Sequence, residues 1–437
     1  MNVQQEASDT KLKCAAPLKA DVDELNMLID QSPVDKKSQD SRLIGALSSA
    51  SVIIYLNLYL MQGMLPSIAE HFSVIPAKAT LVLSVTSFSL AISLLFFALL
   101  SDRVGRRLPI LVSLWLLALS NFPVIFVDDF SGLIWMRLVQ GVLLAAVPAI
   151  AMAYFKEHLS PSIMLAAAAM YIAANSMGGI IGRLLGGLMS QYLSWQQSMQ
   201  MMFALTLIGV AVVSYLLPSE ERVQKSRSVQ SWQRFKQGVV SDLNGFKYHL
   251  QDARMRLVFL IGGLAFMVMV NQFSFIQLHL MAEPFHWSRF EATLIFLCYL
   301  SGTIASYHSA KWIAKWGAIA LFRYASALMI LGGLLTLINT EVAICLGFLM
   351  TACGFFSIHS CCNSSVAIWA QSHRAKATAL YLCCYYLGAA AGGPYLMPFW
   401  HNAGWQGVIG ASLIVLTIMV WIVAKLAHKL VSMPAKA

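Results

Sequence analysis

Residues 81–107 read LVLSVTSFSLAISLLFFALLSDRVGRR. The first twenty of these carry no charge, and the last seven carry four: Asp102, Arg103, Arg106 and Arg107. Twenty residues wound as a helix rise about 30 Å, the thickness of bilayer hydrocarbon. Lipid offers the backbone no hydrogen-bond partner, so the run predicts a membrane-crossing helix. A barrel strand would alternate polar and apolar residues over about ten positions, and this run does not. Gly105 gives the charged turn the backbone freedom that a tight reversal needs. Its arginines are the residue type that holds a loop on the cytoplasmic side.

The same grammar extends in both directions. Apolar segments fall at 43–66, 77–100, 108–127, 131–154, 162–190, 197–217, 257–281, 291–310, 319–339, 342–366, 377–400 and 406–430. The expected fold is all-α, with twelve transmembrane helices in two six-helix halves. Of 437 residues, 58% are hydrophobic and 11% charged, with a mean hydropathy of +0.68. A soluble domain carries about 25% charged residues, so this chain has no polar coat for a water-soluble body. The net charge of +10 sits in connections between spans. That marks topology and attraction to the lipid bilayer rather than nucleic acid. With the N-terminus inside, the cytoplasmic segments hold 26 of the 30 Lys and Arg residues, and the outside holds only Lys78 and Arg289. Arg137 and Arg183 lie within spans.

Residues 1–41 are polar and predict a disordered cytoplasmic tail rather than a signal peptide, with Val22–Ile29 able to form a weak amphipathic turn. Residues 42–217 form the first half, 218–256 a central linker, 257–430 the second half and 431–437 a cytoplasmic end. The linker holds Arg222, Lys225, Arg227, Arg234, Lys236, Lys247, Arg254 and Arg256. Trp232, Phe235 and Phe246 among those charges predict a surface helix at the membrane boundary. Cys14 lies in the tail. Cys298, Cys345, Cys353, Cys361, Cys362, Cys383 and Cys384 fall within spans, without metal or disulfide spacing, and read as small hydrophobes. The halves repeat. Tyr171 precedes Trp195 by the 24 residues that separate Tyr381 from Trp405, and Gly178 and Gly182 match Gly388 and Gly392. Span five and span eleven are thus equivalents, as in transporters whose site opens to either side.

The turn Leu100-Ser101-Asp102-Arg103-Val104-Gly105-Arg106-Arg107 resembles the major facilitator superfamily signature G-x-L-x-D-R-x-G-R-R, with Ala98 for the leading glycine. The resemblance implies that Asp102, Arg103, Gly105, Arg106 and Arg107 form a cytoplasmic gate. The equivalent turn, Lys311 to Gly317, keeps a base and the glycine, and Ala314 stands where the acid would be. Arg137, Gln140 and Gly141 in span four resemble the family's R-x-x-Q-G pattern, which implies proton coupling. A structural arginine bonded to carbonyls is the competing reading. Span five, from Asn175 through Gly178, Gly179, Gly182 and Arg183 to Gly187, is similar to that of the twelve-span drug:proton antiporter group. Gly179 stands for its proline and Arg183 for its last glycine. With Tyr385, Tyr386 and Gly388 of span eleven, the pattern looks like the YnfM-type branch of exporters. The resemblance covers about residues 43–430. It implies secondary active transport of a small molecule, export coupled to protons, a bacterial inner-membrane protein with both termini cytoplasmic, and a monomer.

Arg137 sits roughly 9 Å from the outer face and Arg183 roughly 10 Å, at 1.5 Å per residue. No Asp or Glu lies well inside any span. Two unpaired cations in a dry interior are costly. They line water, meet backbone carbonyls, or bind an anion, and the last makes import of a small organic anion the alternative function. The titratable candidates are His359 in span ten, with Asn363 one turn away, and His279 near the end of span seven. A packing role for His359 stands beside proton relay. Asn57, Gln62, Asn271, Gln277, Tyr385 and Tyr386 complete a candidate cavity, with interhelical packing bonds as the alternative. No enzyme constellation, nucleotide loop or cofactor motif is present.

Overall fold

The computed structural model describes residues 33–218 and 232–432. Among these, eleven helices are long and apolar enough to cross a bilayer. Spans one to ten are Ser38–Gly63, Pro76–Val104, Arg107–Val124, Phe130–His158, Pro161–Tyr192, Trp195–Leu216, Ala253–Met281, Arg289–Trp316, Ala318–Leu335 and Glu341–Trp369. The eleventh helix, Arg374–Val431, is two crossings. Ala403 and Gly404 leave helical geometry, Gly404 with φ 55°. Tyr395 donates to the carbonyl of Ala411 at 3.2 Å. Sixteen residues on a straight helix would stand roughly 24 Å apart, so the chain reverses there. Spans eleven and twelve are therefore 374–402 and 405–431, and the chain crosses twelve times.

The first helix begins at Pro33, so part of the stretch expected as a disordered tail is helical. The expected turn at Val22–Ile29, and Cys14, lie outside the described residues.

Local chemistry explains most of the punctuation. Ser194 caps span six in a reciprocal capping box with Gln197. Asp129 and Thr340 cap spans four and ten. Span four is broken at Ala145, because Pro148 supplies no N–H for the carbonyl four residues back. Gly105 and Gly317 end spans two and eight with φ of 91° and 81°. The two equivalent turns thus keep one backbone form after the second lost its acid.

The repeat is also visible in packing. Span five lies on span one through Gly178 and Gly182, where an added methyl would stand 2.7 Å and 2.9 Å from the carbonyls of Val52 and Leu56. Their equivalents, Gly388 and Gly392, bring span eleven onto Gly263, Met267 and Asn271 of span seven. Small residues four apart let helix backbones approach where no hydrophobic effect drives them together. The outer surface is apolar: Trp135, Ile208, Ile304, Val342 and Ile368 are all more than 60% exposed. In water such a surface would aggregate, whereas in lipid it is the solvated face.

The linker helix, Trp232–Gln251, lies on the face that carries the 2–3 turn, called here the basic face. Phe246 is buried, and Gly245 packs on His373 and Lys376 at the start of span eleven. The side chains of Trp232 and Phe235 lie outside the described residues.

Candidate substrate site at the seam between the halves

The first half contains a polar network built on Arg137. Its Nε donates to Thr86 of span two at 3.0 Å and its Nη1 to Gln140 at 2.7 Å. Its Nη2 donates to the carbonyls of Asn57 and Leu58 at 3.3 Å. Gln140 then donates to Asn121 of span three at 2.8 Å, and Asn121 to Asn57 and to Thr206 of span six. Arg137, Gln140 and Asn57 are fully buried. Arg137 is bonded to two carbonyls, and the network it belongs to joins spans one, two, three, four and six of one half. Asn57 belongs to this network rather than to a cavity between the halves.

Arg183 has a different setting. Its Nε donates to Gln62 of span one at 2.8 Å and its Nη1 to the carbonyl of Gly179 at 2.8 Å. The guanidinium carbon lies 3.6 Å from the ring centroid of Tyr59, 4.7 Å from that of Tyr299 and 5.0 Å from that of Phe296. Tyr59 belongs to span one, Phe296 and Tyr299 to span eight. The cation is thus caged by both halves. Its partner Gln62 donates to Ser274 and to the carbonyl of Val270 in span seven, at 2.8 Å and 2.9 Å. Gln277 donates back to the carbonyl of Gln62 at 3.1 Å. The hydroxyl of Tyr299 and the Oε1 of Gln277 are buried without a hydrogen-bond partner.

Beside the cage lies an aromatic cluster. Tyr55 and Tyr386 share a hydrogen bond across the halves at 3.0 Å. Tyr385 stacks on Phe266 at 3.8 Å and lies 4.8 Å from the ring of His359. His359 joins Tyr381 at 2.7 Å through Nδ1 and Asn363 at 3.0 Å through Nε2. Asn271 donates to the carbonyls of Met267 and Ala389, pinning span seven to span eleven. His279 stacks near Trp405, away from this cluster. Of the residues expected to form a cavity, Gln62 and Gln277 lie at the Arg183 cage, Tyr385 and Tyr386 lie in the aromatic cluster with His359, Asn271 packs span seven on span eleven, and Arg183, expected beside Arg137 in the first half, stands with the seam residues instead. Sequence reasoning missed Tyr55, Tyr59, Phe296, Tyr299 and Tyr381. The available signal was the run Tyr55, Tyr59, Gln62, which shares one face of a helix.

The seam is fastened differently at its two ends. On the face opposite the basic one, Arg289 pairs with Glu70 and donates to the carbonyl of Ser190 at 3.0 Å. Gly187 of span five meets Thr293 of span eight there. On the basic face, long side chains do the work. Lys376 lies 2.8 Å from Asp242 of the linker helix and 3.9 Å from Asp102. Asp242 also binds Arg103 at 2.7 Å. Arg106 bridges Asp102 at 2.7 Å and Glu157 at 2.6 Å. Partial burial pulls the Arg106 guanidinium down, but its bonds to Glu157 and Asp102 outweigh this and hold it above its ordinary value. Arg107 opens span three. Asp242 and Lys376 were not singled out in the sequence, since only folding brings the linker onto the 2–3 turn.

Two related six-helix halves, a polar seam between them and separate fastenings at its two ends define a membrane transporter. The chain belongs to the Major Facilitator Superfamily, whose model matches residues 47–368 and 258–434. It is 30% identical to the MFS-type transporter YybF of Bacillus subtilis over 90% of this chain and 94% of that one. It is also 30% identical to the inner membrane transport protein YnfM of Escherichia coli, over 90% and 91%. Its fold matches the human organic anion transporter MFSD10 (TM-score 0.64, 18% identity, 90% and 100% covered). The nucleoside transporter NupG matches similarly (TM-score 0.67, 15% identity, 89% and 99% covered).

Proposed function

We propose that the protein moves a small organic anion through the bacterial inner membrane by alternating access, with Arg183 as the group that receives the negative charge. The observation that carries this reading is the composition of the cage. A cation buried between the halves is held by an amide, a carbonyl and three rings, and no carboxylate bonds to it among the described residues. Cation–π contacts stabilise such a charge by about 0.5–2 kcal/mol each, less than an ion pair in the same dry setting would. An anion completes the site. Because Tyr59 and Tyr299 come from different halves, any rocking of one half on the other alters the cage, which couples occupancy to conformation.

The remaining assignments follow from the same arrangement. Asp102, Arg103, Arg106, Asp242 and Lys376 act as the gate on the cytoplasmic face, with both termini on that side. His359 is the coupling proton's site. The Asn363 amide can rotate to present oxygen instead of nitrogen, so both protonation states of the imidazole keep two partners. Export against protons follows the resemblance of span five to the antiporter group, from which Gly179 and Arg183 depart, and a monomer is the family expectation. Import by symport is the second reading, favoured by the cationic site itself.

The test is a metabolite comparison between a deletion strain and an overexpressing strain, followed by flux in everted vesicles. Anionic solutes should change in opposite senses in the two strains, and Arg183→Gln should abolish the difference. A cationic or neutral solute as the sole responder overturns the reading. Uptake into everted vesicles supports export, and uptake only into whole cells supports import.

A further inference from the structure

Spans seven and twelve diverge at the basic face and leave a groove of about 870 Å³ between them. Its lining divides into two levels. Leu257, Leu260, Trp421 and Ala424 form an apolar wall, while Arg256, Lys425, His428 and Lys429 stand at the mouth. Arg256 lies one turn, roughly 6 Å, from Leu260, and Lys429 two turns, roughly 12 Å, from Trp421. Those are the distances between the headgroup layer and the first acyl segments of a bilayer. Trp421 is 57% and Leu260 49% exposed. No Asp or Glu lines the groove. Neither Arg256, Lys425 nor Lys429 forms an ion pair among the described residues, whereas nearby Arg254 is satisfied by Asp252 at 2.9 Å. The Nζ of Lys425 sits 3.5 Å above the Trp421 ring, which fixes a cation at the boundary between the two levels.

We propose that this groove is a binding site for an anionic phospholipid. The phosphate sits among Arg256, Lys425 and Lys429, and an acyl chain lies along Leu257, Leu260 and Trp421. Charge complementarity selects the headgroup, because three cations without counter-ions face one phosphate. The two-level lining selects a lipid over a soluble phosphate, because the basic mouth continues directly into an apolar wall that only the acyl chain of the same molecule can cover together with it. The site stands apart from the seam, and the inference does not rest on the transport reading. It places a lipid between the first span of the second half and the last, where it bridges two helices.

Thermal unfolding of the full-length protein in neutral detergent tests it, with short-chain phosphatidylglycerol, phosphatidylcholine and glycerol phosphate as additives. Phosphatidylglycerol should raise the midpoint, and the other two should leave it in place. Its apparent affinity should fall at least fivefold in Arg256→Gln/Lys425→Gln/Lys429→Gln. It should be unchanged in Lys311→Gln/Lys315→Gln/Arg323→Gln, which removes equal charge elsewhere. Equal response to phosphatidylcholine, an effect of glycerol phosphate alone, or unaltered affinity in the groove variant overturns the proposal. Should the triple variant fail to fold, Lys425→Gln alone, read by native mass spectrometry of retained lipid, decides it: retention equal to wild type overturns the site.

Discussion

Arg137 and Arg183 are the two buried arginines among the described residues, set at similar depth in consecutive helices, yet they are solved in opposite ways. Arg137 spends its donors on two carbonyls, a hydroxyl and an amide, within one half. Arg183 is held by one amide, one carbonyl and a cage of rings drawn from both halves. The first arrangement is unaffected when the halves rock, because all of its partners move together. The second cannot survive rocking unchanged. The two buried charges thus differ in whose atoms surround them, and on the proposed function that difference, not the cost of burial, marks Arg183 as the working group. The same contrast separates the two ends of the seam. Close packing of Gly187 on the Thr293 side chain joins a single ion pair, Arg289 with Glu70, at one face, while a network of extended side chains that can release and re-form fastens the other.

Variants can break or sharpen this contrast. The largest effect is expected for Arg183→Gln: flux in proteoliposomes should fall at least a hundredfold, while the unfolding midpoint shifts little. Arg183→Lys should fail similarly, since an ammonium cannot hold Gln62 and stack on Tyr59 together. Wild-type flux in Arg183→Gln and in Arg137→Gln alike would remove both arginines from any functional role. Gly388→Val comes next. Its side chain would enter the backbone of Gly263, and folded protein should be lost from the membrane, as judged by monodisperse yield. Arg137→Gln should lower stability by roughly 2 kcal/mol, from three interhelical bonds at about 0.6 kcal/mol each, and should leave residual flux. A stability change in Arg183→Gln larger than in Arg137→Gln would reverse the comparison. Asp242→Asn should slow flux severalfold, and pairing Asp242→Lys with Lys376→Asp should recover part of it. No effect of either would remove the linker helix from the gate. The smallest effect is expected for Asp252→Ala, which deletes the cap of span seven. About 1 kcal/mol should be lost, with flux intact. Partial burial pushes the Asp252 carboxyl up, but its bonds to Arg254 outweigh this and hold it below the usual range. The stability it adds is therefore present above its unfolded pKa and disappears as pH falls through the lower folded value. The Asp252→Ala difference should shrink in acid.

The twelve crossings were legible in the chain because a bilayer imposes one length and one polarity on every span. The repeat was legible too, because glycines at matched positions are needed wherever backbones touch. The junction of spans eleven and twelve shows the limit on the other side. Its helical hydrogen bonds run almost unbroken through 374–431, and Ala403 and Gly404 alone turn it. The sequence, with its polar His401-Asn402 and Gly404, marks that reversal more plainly than the helix pattern does.

The site divides the same way. Charged and amide residues inside spans announce themselves by cost, so Arg137, Gln140, Arg183, Gln62 and His359 could be named from the chain. Tyrosines and phenylalanines within apolar runs do not, since an aromatic ring is readily buried and every span but the twelfth contains some. That Tyr59, Phe296 and Tyr299 converge on one guanidinium depends on the rotation and tilt of three helices from two halves. No local pattern encodes that. Thus the sequence by itself determined how many times the chain crosses, which loops are basic, and that two cations lie in the interior without a carboxylate. Only the tertiary structure decided that one cation is sealed within a half and the other stands on the seam. Crossing is set by solvation of each segment alone, whereas the surroundings of a side chain are set by packing between segments far apart in sequence.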